Sequence, residues 1–419
     1  MNHKSKLLVF FLSFLIVLYG ISAAFYGKVV AKDDAYKELS VFMDVLKRIS
    51  EDYVEAPDMN RVQEGAMRGL LDALDPYCSF LSKEQYDALQ KRMANGSAGV
   101  GIIISKRLDV IYVVSCESDG PAAEAGIRPG DYVIAVNGQS VEDKSILEVE
   151  SLLRGAPGSK IKVTIFRNSR TKPLDLDMTF RAQTPAPVDS KMLDANVGLL
   201  EVSSLAGNAA DQIKLKLKTL ISAGAEKILL DLRDCADGTP SAGAELANYF
   251  LRGGVIYYSL NREGAKVQVV EANPEKQVTG LPAVVLINGS TAGAAEIAAG
   301  ALKDHKRASL VGEKSFGLGS AQRTIELKNG AVLILSTAKY CTPSGKVIQD
   351  EVLRKTGISP DVEAPDEERR QDLAVESYYD DDQNDGEKYR QLREKVDRIQ
   401  VEKALEILAA EQTPARKAA

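Results

Sequence analysis

The chain has 419 residues, 45% of them hydrophobic and 27% charged, with a formal net charge of −6. That is length for two or three domains with a sizeable core, and the acidic balance excludes the basic footprint of a nucleic-acid binder. Two histidines (His3, His305) and four scattered cysteines (Cys78, Cys116, Cys235, Cys341) match no metal-ligand spacing, histidine-based triad or disulfide scaffold, so no metal and no cofactor is expected.

Lys4 and Lys6 precede an uncharged apolar run from Leu7 to Tyr26. At helical rise this run is long enough to cross a bilayer. The lysines predict a cytoplasmic N-terminus with the rest of the chain sent across. The alternative is a signal peptide cleaved at Ile21-Ser22-Ala23. The run is long for a signal core, which favours an uncleaved anchor. Either reading of residues 1–27 puts the body outside the cytoplasm, in the cell envelope; the anchor reading, which is favoured, holds it to the inner membrane on the periplasmic side.

Residues 34–95 read as helices. Val41, Val45, Leu46 and Ile49 recur at helical spacing, as do Met67, Leu70, Leu71 and Leu74, until Asp75-Pro76 breaks the pattern. Residues 97–181 read as short strands and turns: Ile102 to Ile104, Val110 to Val114, Val133 to Val136, Ile161 to Phe166 and Leu174 to Phe180. A short helix is expected at Ala122 to Ala125, and an amphipathic one from Ser145 to Arg154. A Pro-containing linker, Gln183 to Pro187, follows. Beyond it strands and helices alternate: Val197 to Val202, helix Ala209 to Ser222, Ile228 to Leu232, helix Ala242 to Leu251, Ala283 to Ile287, helix Ala292 to Lys303. That order predicts a layered β-α-β sheet over residues 188–365. The tail, residues 366–419, is acidic around Asp380 to Asp385 and then helical, with Val401, Leu405 and Leu408 on one side. Docking on the body or a partner and plain disorder are both open for it. The fold class is therefore mixed α/β and β, multidomain.

Several stretches together resemble the C-terminal processing peptidases, the tail-specific serine proteases that carry a PDZ domain. Leu71-Asp72-Ala73-Leu74-Asp75-Pro76-Tyr77 is similar to their N-terminal helical region. Gly99-Val100-Gly101-Ile102, Gly120-Pro121-Ala122-Ala123 and Arg128-Pro129-Gly130-Asp131 are similar to their PDZ domain. Leu230-Asp231-Leu232-Arg233, Asn288-Gly289-Ser290-Thr291-Ala292, Phe316-Gly317 and Thr342-Pro343-Ser344-Gly345 are similar to their catalytic core. The resemblance runs in order over residues 36 to 365.

It implies a serine nucleophile with a lysine base. A serine hydroxyl needs a neighbour to take its proton, and a lysine does so only when burial keeps it neutral. In the positions that match the family's motifs this chain has Gly293 for the serine and Leu318 for the lysine, 25 positions apart as in the family. Glycine cannot attack and leucine cannot accept a proton. Gln322 stands where the family has its glutamine. The oxyanion loop reads Cys235-Ala236-Asp237-Gly238, and Asp237 is expected to bring negative charge toward the place where an oxyanion forms. The member is read as an inactive relative. Rescue by Ser290, Ser315, Ser320, Lys314 or Cys235 is the alternative. Ser290 is expected to cap a helix, and strand alternation to turn the residues beside position 318 away from it. His305 is expected at a surface helix end.

The PDZ-like unit, residues 97–181, looks intact. The backbone of Gly99, Val100, Gly101 and Ile102 is expected to hold a chain-terminal carboxylate. Ile102, Ile104, Val149 and Leu153 are expected to line a pocket for an apolar last side chain, or else form the unit's own core. The function expected is capture of polypeptide C-termini, with pairing to an active family relative. The rival classes are an active endopeptidase with a non-standard nucleophile and a purely structural, self-associating dimer.

Overall fold

A computed structural model of the chain describes residues 14, 17–19, 39–95, 98–107, 110–167, 172–182, 186–350, 356–366 and 385–410. The rest of the Leu7 to Tyr26 run and the acidic stretch before residue 385 lie outside the described residues. Among those described, no helix is long and apolar enough to cross a membrane. The chain divides into two units, Met1–Met67 and Arg68–Ala419. In the first, a helix over 39–52 (α1) carries ion pairs one turn apart, Arg48 with Asp44 at 3.3 Å and Lys47 with Glu51 at 3.9 Å. Val41 and Val45 on it are exposed. Helix α2 is Met59–Asp72, and the Asp58 carboxylate accepts the amide of Asn60 at its start.

In the second unit Asp75 follows the end of α2, its carboxylate accepting the amides of Tyr77 and Cys78. The region expected to be wholly helical holds a strand here, β1 (Ser79–Leu81), before α3 (Lys83–Asn95). Three residues are too few for a period, and the partner strand lies some 250 positions downstream.

Strands β2 (Ala98–Gly99), β3 (Ile102–Arg107), β4 (Val110–Cys116), β5 (Tyr132–Val136), β6 (Gln139–Ser140), β7 (Arg154–Gly155), β8 (Lys160–Phe166), β9 (Leu174–Thr179) and β10 (Arg181–Ala182) form the next module, with helices α4 (Pro121–Glu124) and α5 (Ile146–Leu152). Its main sheet runs β3-β4-β5-β8-β9 with β6 on β5. Alternation sends Ile111, Val113, Val133, Ile161, Val163 and Ile165 inward to a core that Ile146 and Val149 of α5 close. Ser145 and Glu148 make a capping box at the start of α5.

The layered module contains β11 (Asp189–Leu193), β12 (Val197–Glu201), α6 (Ala209–Ser222), β13 (Lys227–Asp231), α7 (Pro240–Asn248), β14 (Val255–Leu260), β15 (Lys266–Glu271), β16 (Ala283–Ile287), α8 (Ala294–Asp304), β17 (Ser309–Gly312), β18 (Ser320–Glu326), β19 (Val332–Cys341) and β20 (Val362–Glu363). Its central sheet is β11-β12-β13-β16-β17-β20, parallel apart from β11. Ile228, Leu230, Val285 and Ile287 face the helices α6, α7 and α8. Leu229, Val284, Leu286 and Val311 face the other way. Apolar residues on both faces are what a parallel sheet covered on both sides requires. The cover on the second face is the tail helix α9 (Asp385–Ala410), whose Ala404 and Leu408 are fully buried there. A second sheet runs β1-β19-β14-β15, with β18 also on β19. His305, at the end of α8, pairs its Nε2 with the carbonyl of Val255 at 2.7 Å; it ties α8 to β14 and is more than a surface residue.

Candidate functional site

Strand β16 delivers the chain into a tight turn, Asn288 to Gly293, that opens α8. Asn288 fixes the turn by accepting the amide of Ser290 with its side chain at 3.0 Å, while its own amide bonds Thr291 Oγ1. Ser290 does not cap α8. The cap position is Gly293, and its N–H is taken by Glu296 Oε2 at 2.9 Å. Gly293 has φ 59° and ψ −112°, a left-handed conformation that costs an L side chain strain.

Glu296 gathers the site. It is fully buried. Besides Gly293 it accepts Ser315 Oγ at 2.5 Å, the Gly317 N–H at 2.8 Å and the Leu318 N–H at 2.7 Å. It thereby locks the loop bearing residue 318 onto the loop bearing residue 293. Burial pushes its carboxyl up to about 7, against those four hydrogen bonds, which pull it down. The sequence reading missed this role. The available signal was a single carboxylate inside an Ala- and Gly-rich run, three residues after the cap position.

Gly293 and Leu318 meet across a cleft of about 350 Å³ that Ile297, Tyr340 and Gly238 also line. Ser320 and Gln322 share this cleft, and Gln322 donates to Ser320 Oγ at 2.8 Å. This corrects the expectation that residues beside 318 turn away: position 318 precedes β18, so strand alternation does not set it against Ser320. Ser315 is spent structurally, donating to Glu296 and accepting the amide of Ile358 at 2.6 Å.

The loop after β13 forms the opposite wall. Cys235 is fully buried and burial drives its thiol well up, so it stays protonated and out of reach. The Asp237 carboxylate is held by Ser204 Oγ at 2.7 Å and the Leu205 amide at 2.9 Å. The 204–205 turn satisfies this charge, which had been expected toward the place where an oxyanion forms. Gly238 is at φ 100°, where a Cβ would strike the Leu205 backbone at 2.7 Å. Tail helix α9 backs the loop: Arg233 pairs with Asp231 and with Asp397 at 2.7 Å, and Arg393 pairs with Asp234.

The β3–β4 module docks on the same loops. Val114 packs with Ala236 and Ala292, joined by Ile103, Tyr112, Phe316 and Leu318. The rings of Tyr112 and Phe316 stack at 6.4 Å, and Ser115 Oγ donates to the Asp234 carbonyl at 2.7 Å. Leu318 thus borders both the cleft and an apolar seam between modules. Within the β3–β4 module, Ile104, Val149 and Leu153 are buried among its core residues and Ile102 sits half-buried at their margin. Gly101, at φ 78°, has no room for a side chain because Glu117 Oε2 lies 2.7 Å from where its Cβ would be. The carbonyls of Val100 and Gly101 accept the amides of Ala122 and Glu117, fixing the loop from Gly99 to Ile102.

Residues 196–364 match the family model for peptidase family S41, and residues 112–167 match a PDZ domain. The chain is 32% identical to a carboxy-terminal-processing protease of Bartonella bacilliformis over 79% of its own length and 76% of that protein's. It is 35% identical to a carboxyl-terminal-processing protease of Synechocystis over 76% of its length and 75% of that protein's. Among solved structures, the photosystem II D1 C-terminal processing protease superposes with a TM-score of 0.63 at 26% identity, covering 77% of this chain and 92% of that one.

Proposed function

We propose, because the chain belongs to the S41 family of carboxy-terminal-processing proteases, that it is a member that binds polypeptides without cutting them. One observation carries the reading: where the family places a hydroxyl beside an amine, Gly293 faces Leu318 across the cleft. Neither residue can start or assist acyl transfer. The PDZ domain suggests binding of peptide C-termini. On this reading its loop Gly99 to Ile102 takes the terminal carboxylate, and the groove beside Ile102, Ile104, Val149 and Leu153 takes the last side chain. Anchored through residues 1–27 in the cell envelope, the protein holds chain ends for, or away from, an active relative with which it pairs.

The rival reading is hydrolysis from a non-standard nucleophile. Ser320 supplies a hydroxyl in the cleft, but its bonded neighbour there is the Gln322 amide, which takes no proton. The test uses the full chain in detergent and an unfolded reporter ending in an apolar residue with a free carboxylate. The reporter is bound and stays whole, and amidating its end weakens binding at least tenfold. Cleavage of the reporter refutes the reading, and equal binding of acid and amide refutes its PDZ component.

A further inference from the structure

A second cavity, of about 400 Å³, is lined by residues of α7, β14 and β15. Its floor is apolar, made by Ala244, Ile256 and Tyr257, all nearly or fully buried. Its rim is polar and carries Lys276 beside Glu245 at 3.9 Å. Two elements contribute neighbouring residues to both it and the first cleft. The start of α7 gives Pro240 to the cleft and Ser241 to the cavity, and the edge-on ring pair Tyr257–Tyr340, centroids 5.6 Å apart, stands with one ring in each lining.

One wall of this cavity is a sheet edge. Strand β15 is the last in the order β1-β19-β14-β15 and, among the described residues, pairs with β14 alone. Its residues Val267 and Val269 are 58% and 46% exposed, while Gln268 and Val270, on the alternate positions, line the cavity. Between Lys266 and Glu271 the strand reads Val-Gln-Val-Val, with no charge and no proline. Natural edges are blunted by lysine, proline or a covering element; the one lysine of this strand, Lys266, stands at its first position with its Nζ over the Tyr258 ring, and the four residues after it are uncharged.

We propose that the edge of β15 and the cavity behind it are a binding site for an extended segment of client polypeptide, added to the sheet as a further strand. An unpaired strand edge recognises backbone, so its partner is a chain in extended form. Alternate side chains of that segment go to two places. One set lies over Val267 and Val269, and the other points toward the cavity, where the floor of Ala244, Ile256 and Tyr257 accepts an apolar group. The site rests on the client-binding reading and deepens it: a chain whose end is in the PDZ domain is held a second time by its interior, which selects unfolded segments with apolar residues at every second position.

The test uses full-length protein in detergent and a fluorescein-labelled 16-residue peptide with alternating threonine and valine in its first half and a free Leu-Ala-Ala end. The double variant Val267→Lys, Val269→Lys places charges at two exposed positions, so the fold is retained and melting checks it. It binds the peptide at least tenfold more weakly, with the ratio of free-acid to amidated affinity unchanged. In the wild type, saturating peptide slows amide hydrogen exchange over residues 266–271. Equal affinity of the double variant, or unchanged exchange over β15, overturns this site whatever the PDZ domain does. Equal binding of acid and amide with slowed exchange at β15 overturns the PDZ reading and keeps this one. No peptide binding at all overturns both.

Discussion

A methyl group built on Gly293 would lie 3.5 Å from Cδ2 of Leu318, ordinary van der Waals contact. The two positions that the proposed reading matches to a nucleophile and its base are therefore face to face. The frame around them is still assembled: Glu296 holds both loops, and the Gly293 turn keeps its left-handed backbone.

That geometry predicts the outcome of restoring the pair. Gly293→Ser with Leu318→Lys gains slow hydrolysis of an unfolded reporter, because a serine fits the space and Ile103, Tyr112 and Phe316 near position 318 desolvate the amine and lower its pKa. Each single variant remains inert. Fragment release followed by mass spectrometry checks this. Gly293→Ser alone lowers stability by about 1–3 kcal/mol, since it puts a side chain at φ 59°.

Leu318 also joins the PDZ module to the core, so its loss is felt in stability. Leu318→Ala is expected to cost about 1–2 kcal/mol in urea denaturation, at the low end for a leucine because the side chain is only partly buried. The same variant speeds amide exchange in β4, whose Tyr112 and Val114 face the seam.

Glu296 makes stability depend on pH. Its carboxyl stands at about 7 in the folded protein against 4.5 ordinarily, so between these values the folded state holds a proton that the unfolded chain has released. Stability is then fully present below the lower value and falls as pH rises through the window to the upper one. The loss attributable to this group between pH ~5 and ~8 is on the order of 1–3 kcal/mol. Denaturation of wild type and Glu296→Gln across that range checks it: the variant lacks this slope, and is weaker at low pH because its amide NH₂ meets N–H donors.

Removing the tail helix uncovers one face of the central sheet. Leu408→Ala is expected to cost about 2–4 kcal/mol, as a fully buried leucine does. Arg393→Ala removes the partner of Asp234 and is milder, because Asn288 still bonds that carboxylate. Thermal melting ranks the two, with Leu408→Ala the lower.

The layered core was legible because its strands are buried on both faces and read as unbroken apolar runs; α6 and β16 fall on the expected residues. Gly293 and Leu318 were singled out by local motif, and the fold brings them face to face. What local pattern does not carry is pairing over distance. Strand β1 exists through β19, and the seam joins Tyr112 to Phe316, a pairing that no local pattern carries. The aim of Asp237 was missed for the same reason: its partners, Ser204 and Leu205, lie on another loop. Glu296 is one carboxylate in an Ala- and Gly-rich run, and only the fold reveals that four donors converge on it.

The most direct measurement is prolonged incubation of the full chain with an unfolded, C-terminally apolar reporter, with every product mass determined. A reporter recovered intact while bound, with binding lost when its terminal carboxylate is amidated, is the predicted result. Fragments from one defined bond, abolished by Ser320→Ala, would contradict the account.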